Sequence, residues 1–569
     1  MPERLVVEVG RRGRLVVGEP FFTPGVPLVL DKKGISEVRA GQLAVVATRK
    51  GRARVEKPLG PADSVASVLD ALLEQEGLVE EHEHHDAPPA SHEGRVDLRD
   101  LRTFTIDPET AKDFDDAISV QPESEGLRAW VHIADVSHFV PAGTPLDRGA
   151  ARRSFSAYVP GRAAPMLPHQ LADDLCSLRP YQDRLCATVE VPFDAQLEAG
   201  EPSFYRSVIR SDARLTYGQA ERILGGKEPA SAELVEGLRL AERLALELRR
   251  RRFARGALRI TTREIVFAFD GQGGVERAWL ESEPHAHLLI EELMILANEA
   301  VAGLLARRNR QTLYRVHERP DPAAIMLLLA KLADLEVPTP PAPDAERLTP
   351  GLAANLAGEI SERVSEYVER SRRGAEAFPA LVLRALKQAR YDPKNLGHSG
   401  LASPAYCHFT SPIRRYPDLV VHRTLLRELG LADEPQQDDL DELADHVSER
   451  ERLIAAVEHR ADDICLAWLL MDVLYDQGWE TTFEGEITGV IGSGLFARFG
   501  EVFEGYLPVR KLPGYFELNE LGTALVARRG GRRYRLGDLI EVKVSDVDRP
   551  AGKIELTLAS APAASRSRA

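Results

Sequence analysis

Four aspartates fall within ten residues, at Asp107, Asp113, Asp115 and Asp116, and Glu109 adds a fifth carboxylate to the same segment. Like charges packed this densely repel one another unless water or a cation offsets them. The flanking residues favour a cation. Phe104, Ile106 and Phe114 are apolar, and Ala117–Val120 reads as a strand entering a core. Carboxylates held at the edge of a folded sheet offer only oxygen, a donor set that suits magnesium or manganese and not zinc. A cation held this way lowers the pKa of bound water and relieves charge on a phosphate, which is what phosphodiester hydrolysis needs. The plain alternative is a solvated acidic loop with no ligand.

A second segment, His408–Leu419, places Arg414 and Arg415 side by side between Pro412 and Pro417, with a helix expected to start near Pro417 and to carry Val421 and His422. Paired guanidinium forks suit phosphate oxygens and the charge that develops on a phosphate under attack. Viewed by itself, the stretch could equally be a packed loop with surface arginines. The third segment, Ser154–Arg162, contains Tyr158, and a single tyrosine of this kind is more often core than a stacking surface.

These segments need elements to position them. The chain has 569 residues, 44% hydrophobic and 28% charged, enough for three or four globular domains of about 150 residues each. Its formal net charge of -15 argues against a protein that coats nucleic acid by bulk positive charge, while leaving room for a local basic channel. Cys176, Cys186, Cys407 and Cys465 form no CxxC pair, so no zinc ribbon or disulfide framework is expected and a reducing cytoplasm fits. The N-terminus has no apolar signal core, and runs such as Ile325–Ala330 are too short to span a bilayer.

Residues 1–78 read as short strands of a small barrel with a trailing helix over 63–77, and residues 79–95 as an acidic, His- and Pro-containing linker. The His82, His84 and His85 group in that linker could bind a metal, although a plain tether is the simpler reading. Helical periodicity is expected over Ala232–Phe253, His287–Arg307, Ala323–Leu335, Pro379–Arg390 and Asp438–Tyr475. Four arginines close the first of these, at Arg249–Arg252, where cations suit a helix C-terminus and could also meet a nucleic-acid backbone. Residues 476–560 return to short strands in the pattern of a five-stranded OB barrel, with aromatics beside Arg498, Arg510 and Lys511 that could stack bases and neutralise phosphates. Residues 561–569 form a short tail.

Taken together, and with Tyr391–Asn395, Gly397–Leu401, Ile290–Glu299 and Tyr314–Glu318, these stretches resemble the ribonuclease II and ribonuclease R (RNB) family of 3′-to-5′ exoribonucleases. The resemblance implies a multidomain α+β protein in which a mixed α/β RNB catalytic domain, over 96–475, is flanked by small OB-like β-barrels. The front barrel resembles one degenerate cold-shock-type domain where the family commonly has two. It further implies a processive, hydrolytic enzyme that degrades single-stranded RNA to nucleoside 5′-monophosphates. Magnesium, with manganese as a substitute, would be held by Asp107, Asp113, Asp115 and Asp116. Asp115, Asp113 and Arg414 would be catalytic, with Arg414 steadying the phosphate. Tyr158 would stack on the terminal base, Tyr217 and Glu291 would read the ribose 2′-hydroxyl, and Arg415 would contact RNA. Single-stranded RNA is the expected partner of a monomer, with no membrane and no small-molecule cofactor. Ser493 stands where many such OB domains carry an aromatic, which weakens stacking there. The rival expectations are a catalytically silent RNA-binding protein of the same fold, a phosphorolytic nuclease and a metal-dependent DNA nuclease.

Overall fold

The computed structural model describes residues 3–31, 35–49, 52–79, 82, 87–260, 263–281, 285–432 and 439–559. His84 and His85 of the linker, and the tail beyond 559, lie outside the described residues. Five strands come first: β1 (Glu3–Arg12), β2 (Leu15–Pro20), β3 (Leu28–Leu30), β4 (Gln42–Arg49) and β5 (Arg52–Pro61). They close into a barrel in the order β1-β2-β3-β5-β4. Side chains alternate along a strand, so β1 and β4 serve two cores. Val7, Val9, Ala44 and Val46 fill the barrel. Val6, Leu43 and Val45 instead seat α1 (Val65–Gln75), which buries Val65, Val68, Leu69 and Leu72.

The central region is built on a seven-stranded sheet. Its first strands are β6 (Val96–Asp97), β7 (Phe104–Asp107), β8 (Asp116–Glu123) and β9 (Gly126–Ala134). Helices α2 (Val136–Phe139) and α3 (Pro145–Arg153) then lead to a separate hairpin of β10 (Ala157–Val159) and β11 (Arg162–Ala164). The sheet resumes with β12 (Asp183–Asp194), β13 (Ser203–Arg210) and β14 (Ala213–Thr216), in the order β14-β7-β8-β9-β12-β13-β6. Only β14 with β7 and β6 with β13 pair in parallel; the other neighbours are antiparallel.

Both faces of this sheet are covered. After α4 (Tyr217–Leu224), the long helices α5 (Ala232–Ala254) and α6 (His285–Arg307) flank a two-stranded ribbon of β15 (Glu264–Phe269) and β16 (Val275–Glu281). Leu238, Ala241 and Leu244 of α5 and Leu289, Leu293 and Val301 of α6 share one core with Ile118, Val131 and Val189. The opposite face, with Ala117 and Ala134, joins a core that reaches the front barrel. A chain of buried polar side chains also crosses the strands. Thr103 Oγ1 meets Ser119 Oγ at 2.8 Å, and Ser119 meets His132 Nε2 at 3.2 Å. His132 Nδ1 meets Thr188 Oγ1 at 3.0 Å, and Thr188 meets Ser207 Oγ at 2.7 Å.

The rest of the central region is mainly helical. β17 (Tyr314–Val316) precedes α7 (Pro322–Asp334), α8 (Pro350–Ser371) and α9 (Ala377–Arg384); β18 (Arg390–Asp392), α10 (Tyr416–Glu428) and the 38-residue α11 (Leu440–Gln477) follow. Here the sequence expectation needs correcting. The helix anticipated over 379–390 stops at Arg384, because Arg390–Asp392 is drawn into pairing with β17 and buries Tyr391. Tertiary pairing overrides local propensity there. Helix α8 was not anticipated, although Thr349 as N-cap and Pro350 at the first turn mark its start.

The chain closes on a second barrel, of β19 (Phe483–Ile491), β20 (Gly494–Phe499) and β21 (Phe503–Pro508) with two later strands. Between them is inserted a three-stranded sheet of β22 (Phe516–Leu518), β23 (Ala524–Ala527) and β24 (Arg533–Arg535), which the five-strand reading did not include. β25 (Leu539–Asp548) and β26 (Lys553–Leu558) then complete the barrel in the order β19-β20-β21-β26-β25. The fold is therefore mixed α/β with a small closed barrel at each end. Among the described residues no helix is long and apolar enough to cross a membrane.

Candidate active site

Sheet topology assembles the acidic residues. β7 ends at Asp107 and the antiparallel β8 begins at Asp116, so both carboxylates stand at one end of the sheet. The loop between them carries Asp113 and Asp115 over the same end. Parallel pairing sets Thr216, the last residue of β14, beside Asp107, which places Tyr217 next to the cluster at the first position of α4. A reciprocal capping box between Thr216 and Gln219 fixes that helix start.

The acidic loop is tied down by residues far away in sequence. Arg214 Nη2 donates to the carbonyls of Pro108 at 2.6 Å and Glu109 at 3.0 Å, and its guanidinium lies 5.4 Å from the centre of the Phe114 ring. The Ser177 hydroxyl donates to the Lys112 carbonyl at 2.7 Å and accepts the Phe114 amide at 3.1 Å.

The arginine segment docks directly onto this loop. One oxygen of Asp115 accepts the Ile413 amide at 2.8 Å, and the other accepts Arg414 Nε at 3.2 Å. Arg414 Nη2 also reaches Ser411 Oγ at 3.1 Å. Asp418, in the first turn of α10, accepts the Ser411 amide and Arg415 Nη2, both at 2.8 Å. The third segment lies against the second: the Ser156 amide donates to the Arg414 carbonyl at 2.9 Å, and the Tyr416 amide to the Ser154 carbonyl at 2.8 Å. Ser154 adopts φ +61°, a left-handed conformation unusual for a non-glycine residue, at the point where the chain leaves α3 for this pairing. The pairing delivers Tyr158, whose hydroxyl donates to Asp113 Oδ2 at 2.5 Å and whose amide donates to Glu458 on α11 at 2.8 Å. Tyr158 remains 42% exposed.

Burial dominates the electrostatics. It pushes the Asp107 carboxyl up to about 6, against the pull of Arg214 and Arg414. Burial, followed by the charge of Asp107, pushes Asp116 up to about 7, and Asp115 is raised by burial despite Arg414. The protein's own cations therefore leave the acidic cluster short of positive charge. Asp107 Oδ2 is buried without a hydrogen-bond partner. An all-oxygen donor set with such an oxygen fits a hard divalent cation. Asp113 and Asp115 are already engaged by Tyr158 and by the Ile413–Arg414 segment. Among the described residues no three carboxylate, imidazole or thiol groups converge as a metal cage, so water or substrate oxygens would have to complete a coordination shell.

The remaining sequence candidates are distributed around this centre. Tyr217 lies near Asp116 and Asp107, and its ring packs 5.3 Å from that of His287. Glu291 follows His287 by one helical turn on α6 and meets Arg252 at 3.4 Å, while the neighbouring Glu292 is buried against the same arginine. Arg415 spends its guanidinium on Asp418 and Thr410, yet lies close enough to Asp116 to favour its charge. In the C-terminal barrel, Arg498 pairs with Glu376 and Glu504, and Arg510 and Lys511 both pair with Glu555. Sequence reasoning missed His287, Asp418, Ser177, Arg214 and Glu458 as supports of the site. For Asp418 a signal existed, an acid three residues after Arg415 in the first turn of a helix. The others come from distant segments with no local mark.

Comparison with known proteins bears on the family and the overall fold. The RNB domain family matches residues 95–430. Ribonuclease R of Escherichia coli (strain K12) is 37% identical over 495 residues, which cover 84% of this chain and 59% of that protein. Ribonuclease R of Aquifex aeolicus (strain VF5) is 35% identical over 559 residues, covering 93% of this chain and 77% of its relative. A solved structure of Mycoplasma genitalium RNase R in complex with ribose methylated single-stranded RNA aligns with a TM-score of 0.85 at 27% identity, covering 98% of this chain and 89% of that one.

Proposed function

This chain belongs to the RNB family, and on that premise we propose that it is a processive 3′-to-5′ exoribonuclease that hydrolyses single-stranded RNA to nucleoside 5′-monophosphates. The observation that carries the reading is the contact of Asp115 with Ile413 and Arg414, residues 298 and 299 positions away. It sets a guanidinium beside a carboxylate cluster that is short of positive charge, the pairing that attack on a phosphodiester requires.

Asp107 and Asp116, with Asp113 beside them, are the residues that would hold a divalent cation, magnesium by preference. Bound there, it would lower the pKa of an attacking water and offset phosphate charge. Arg414 supplies fixed positive charge where the phosphate gains negative charge, and Asp115 holds that guanidinium and the Ile413 backbone in place. Tyr158 offers its ring to the terminal base, while its hydroxyl orients Asp113. Tyr217 and Glu291 are assigned to the ribose 2′-hydroxyl, the group that separates RNA from DNA. The enzyme is read as a cytoplasmic monomer; its four cysteines are free and buried, which suits a reducing compartment.

The test is incubation of the purified protein with magnesium and a 5′-labelled single-stranded RNA, with a matched DNA and a chelated reaction as controls. The expected result is conversion of full-length RNA, and not of DNA, to a short labelled end fragment without accumulating intermediates, with 5′-monophosphates identified by mass. Nucleoside diphosphates would make the enzyme phosphorolytic, and tight RNA binding without any product would favour a silent RNA-binding protein.

A further inference from the structure

A dense run of positive charge in this acidic chain lies far from the catalytic cluster in sequence, on the sheet inserted into the C-terminal barrel. Arg528, Arg529, Arg532, Arg533 and Arg535 occur within eight residues of the β23–β24 hairpin. Gly530 and Gly531 both adopt positive φ at its tip, and they let the chain reverse with arginines on both sides of the turn. The register holds Val526 opposite Arg533 and Ala524 opposite Arg535. On the other face, Leu525 and Tyr534 enter the core beside Phe516.

Stability does not explain this composition. Arg528, Arg529 and Arg533 are exposed. Arg528 pairs with Glu517, but Arg529 and Arg533 have no acidic partner among the described residues. Surface ion pairs contribute little to stability, and adjacent like charges work against folding. Beside the hairpin stands Tyr515, 64% exposed, with the Arg528 guanidinium 4.4 Å from its ring centre. Uncommitted guanidinium groups next to an open aromatic face are the elements of a surface that follows a polyanionic strand and stacks an unpaired base. By contrast, Arg498, Arg510 and Lys511 on the barrel itself are all engaged by glutamates.

We propose that the β23–β24 hairpin, through Arg529, Arg533 and the Arg528–Tyr515 pair, docks the phosphate backbone of a single-stranded RNA segment upstream of the 3′ end held at the acidic cluster. The inference rests on the exoribonuclease reading for the identity of the polyanion. It is tested by binding without catalysis, so the two can fail separately. Fluorescence anisotropy of the full chain in chelator is measured across a salt series with an RNA of about 30 nucleotides and with one of about four. For R529Q/R533Q, the long RNA is expected to bind about 10-fold more weakly, and the slope of log affinity against log salt to shrink by about 1.4, two contacts at about 0.7 each. Binding of the short RNA should stay unchanged, and R529K/R533K should retain most of the affinity. Y515A should weaken the long single strand without changing the salt slope. An unchanged slope with the long RNA, or equal losses for both lengths, would overturn the proposal. Absence of hydrolysis by the unaltered chain would count against the exoribonuclease reading and leave this measurement standing.

Discussion

In Asp115 one oxygen accepts a backbone amide and the other a guanidinium, so an amide side chain in its place would turn a donor toward donors. Asp115→Asn is therefore expected to lower single-turnover hydrolysis by about 100-fold or more while RNA affinity stays within a few-fold, because the misplaced group is Arg414 and not a base-contacting residue. Wild-type turnover in a metal-replete assay would rule this role out. Tyr158 divides differently, with part of the residue exposed and its hydroxyl on Asp113. Tyr158→Ala should weaken short RNA ends by about 1 to 3 kcal/mol and shift the length of the last undigested fragment, whereas Tyr158→Phe should keep that length. Product sizing on a gel tells them apart. The two charged segments were legible because each is contiguous and its residue types have few other uses. His287 and Ser177 were not, since only the folded chain brings them to Tyr217 and the acidic loop.

At the level of elements, the turn into α10 is braced from its own helix by one fully buried carboxylate. Asp418 satisfies both the Ser411 amide and Arg415, whose side chain is 21% exposed. Removing one partner of a buried pair leaves the other uncompensated, so Asp418→Ala should destabilise the unit that contains it by about 3 to 5 kcal/mol. The loss should appear as a lower melting temperature by calorimetry, together with reduced activity, because Ser411 also supports Arg414. An unaltered melt would show that the turn is held by other contacts. Periodicity in the sequence located α5, α6, α7 and α11 closely, since each has a long apolar face and a clear boundary. It failed at 385–390, where good helix formers yield to a short strand, and in the C-terminal barrel, where three further strands interrupt the five-strand pattern.

For the molecule as a whole, acid sensitivity has an identifiable source in the central sheet. Burial lowers the pKa of His132 from 6.5 to about 3, and its ring nitrogens face only the hydroxyls of Ser119 and Thr188. Above pH 6.5 the folded and unfolded chains both hold this ring neutral. Below that value the unfolded chain takes up a proton that the folded one does not. The contribution of His132 is therefore complete at neutral pH and is lost as pH falls from 6.5 toward 3, by about 3 kcal/mol at pH 4. Asp107 and Asp116, raised in the fold, act in the opposite sense, so the informative quantity is a difference between variants. Between pH 7 and pH 4.5, the melting temperature of the unaltered chain should drop further than that of His132→Gln. Parallel curves would remove His132 as the cause.

The row of hydroxyls and imidazole from Thr103 to Ser207 has one more effect. Each member finds its partner only when neighbouring strands are aligned as they are, and sliding any strand by one residue would turn its polar group into the aliphatic layer and strand the others without a mate. It works as a combination lock on strand alignment. Since Asp107 and Asp116 stand at the ends of two of those strands, the lock also determines that the two carboxylates arrive side by side.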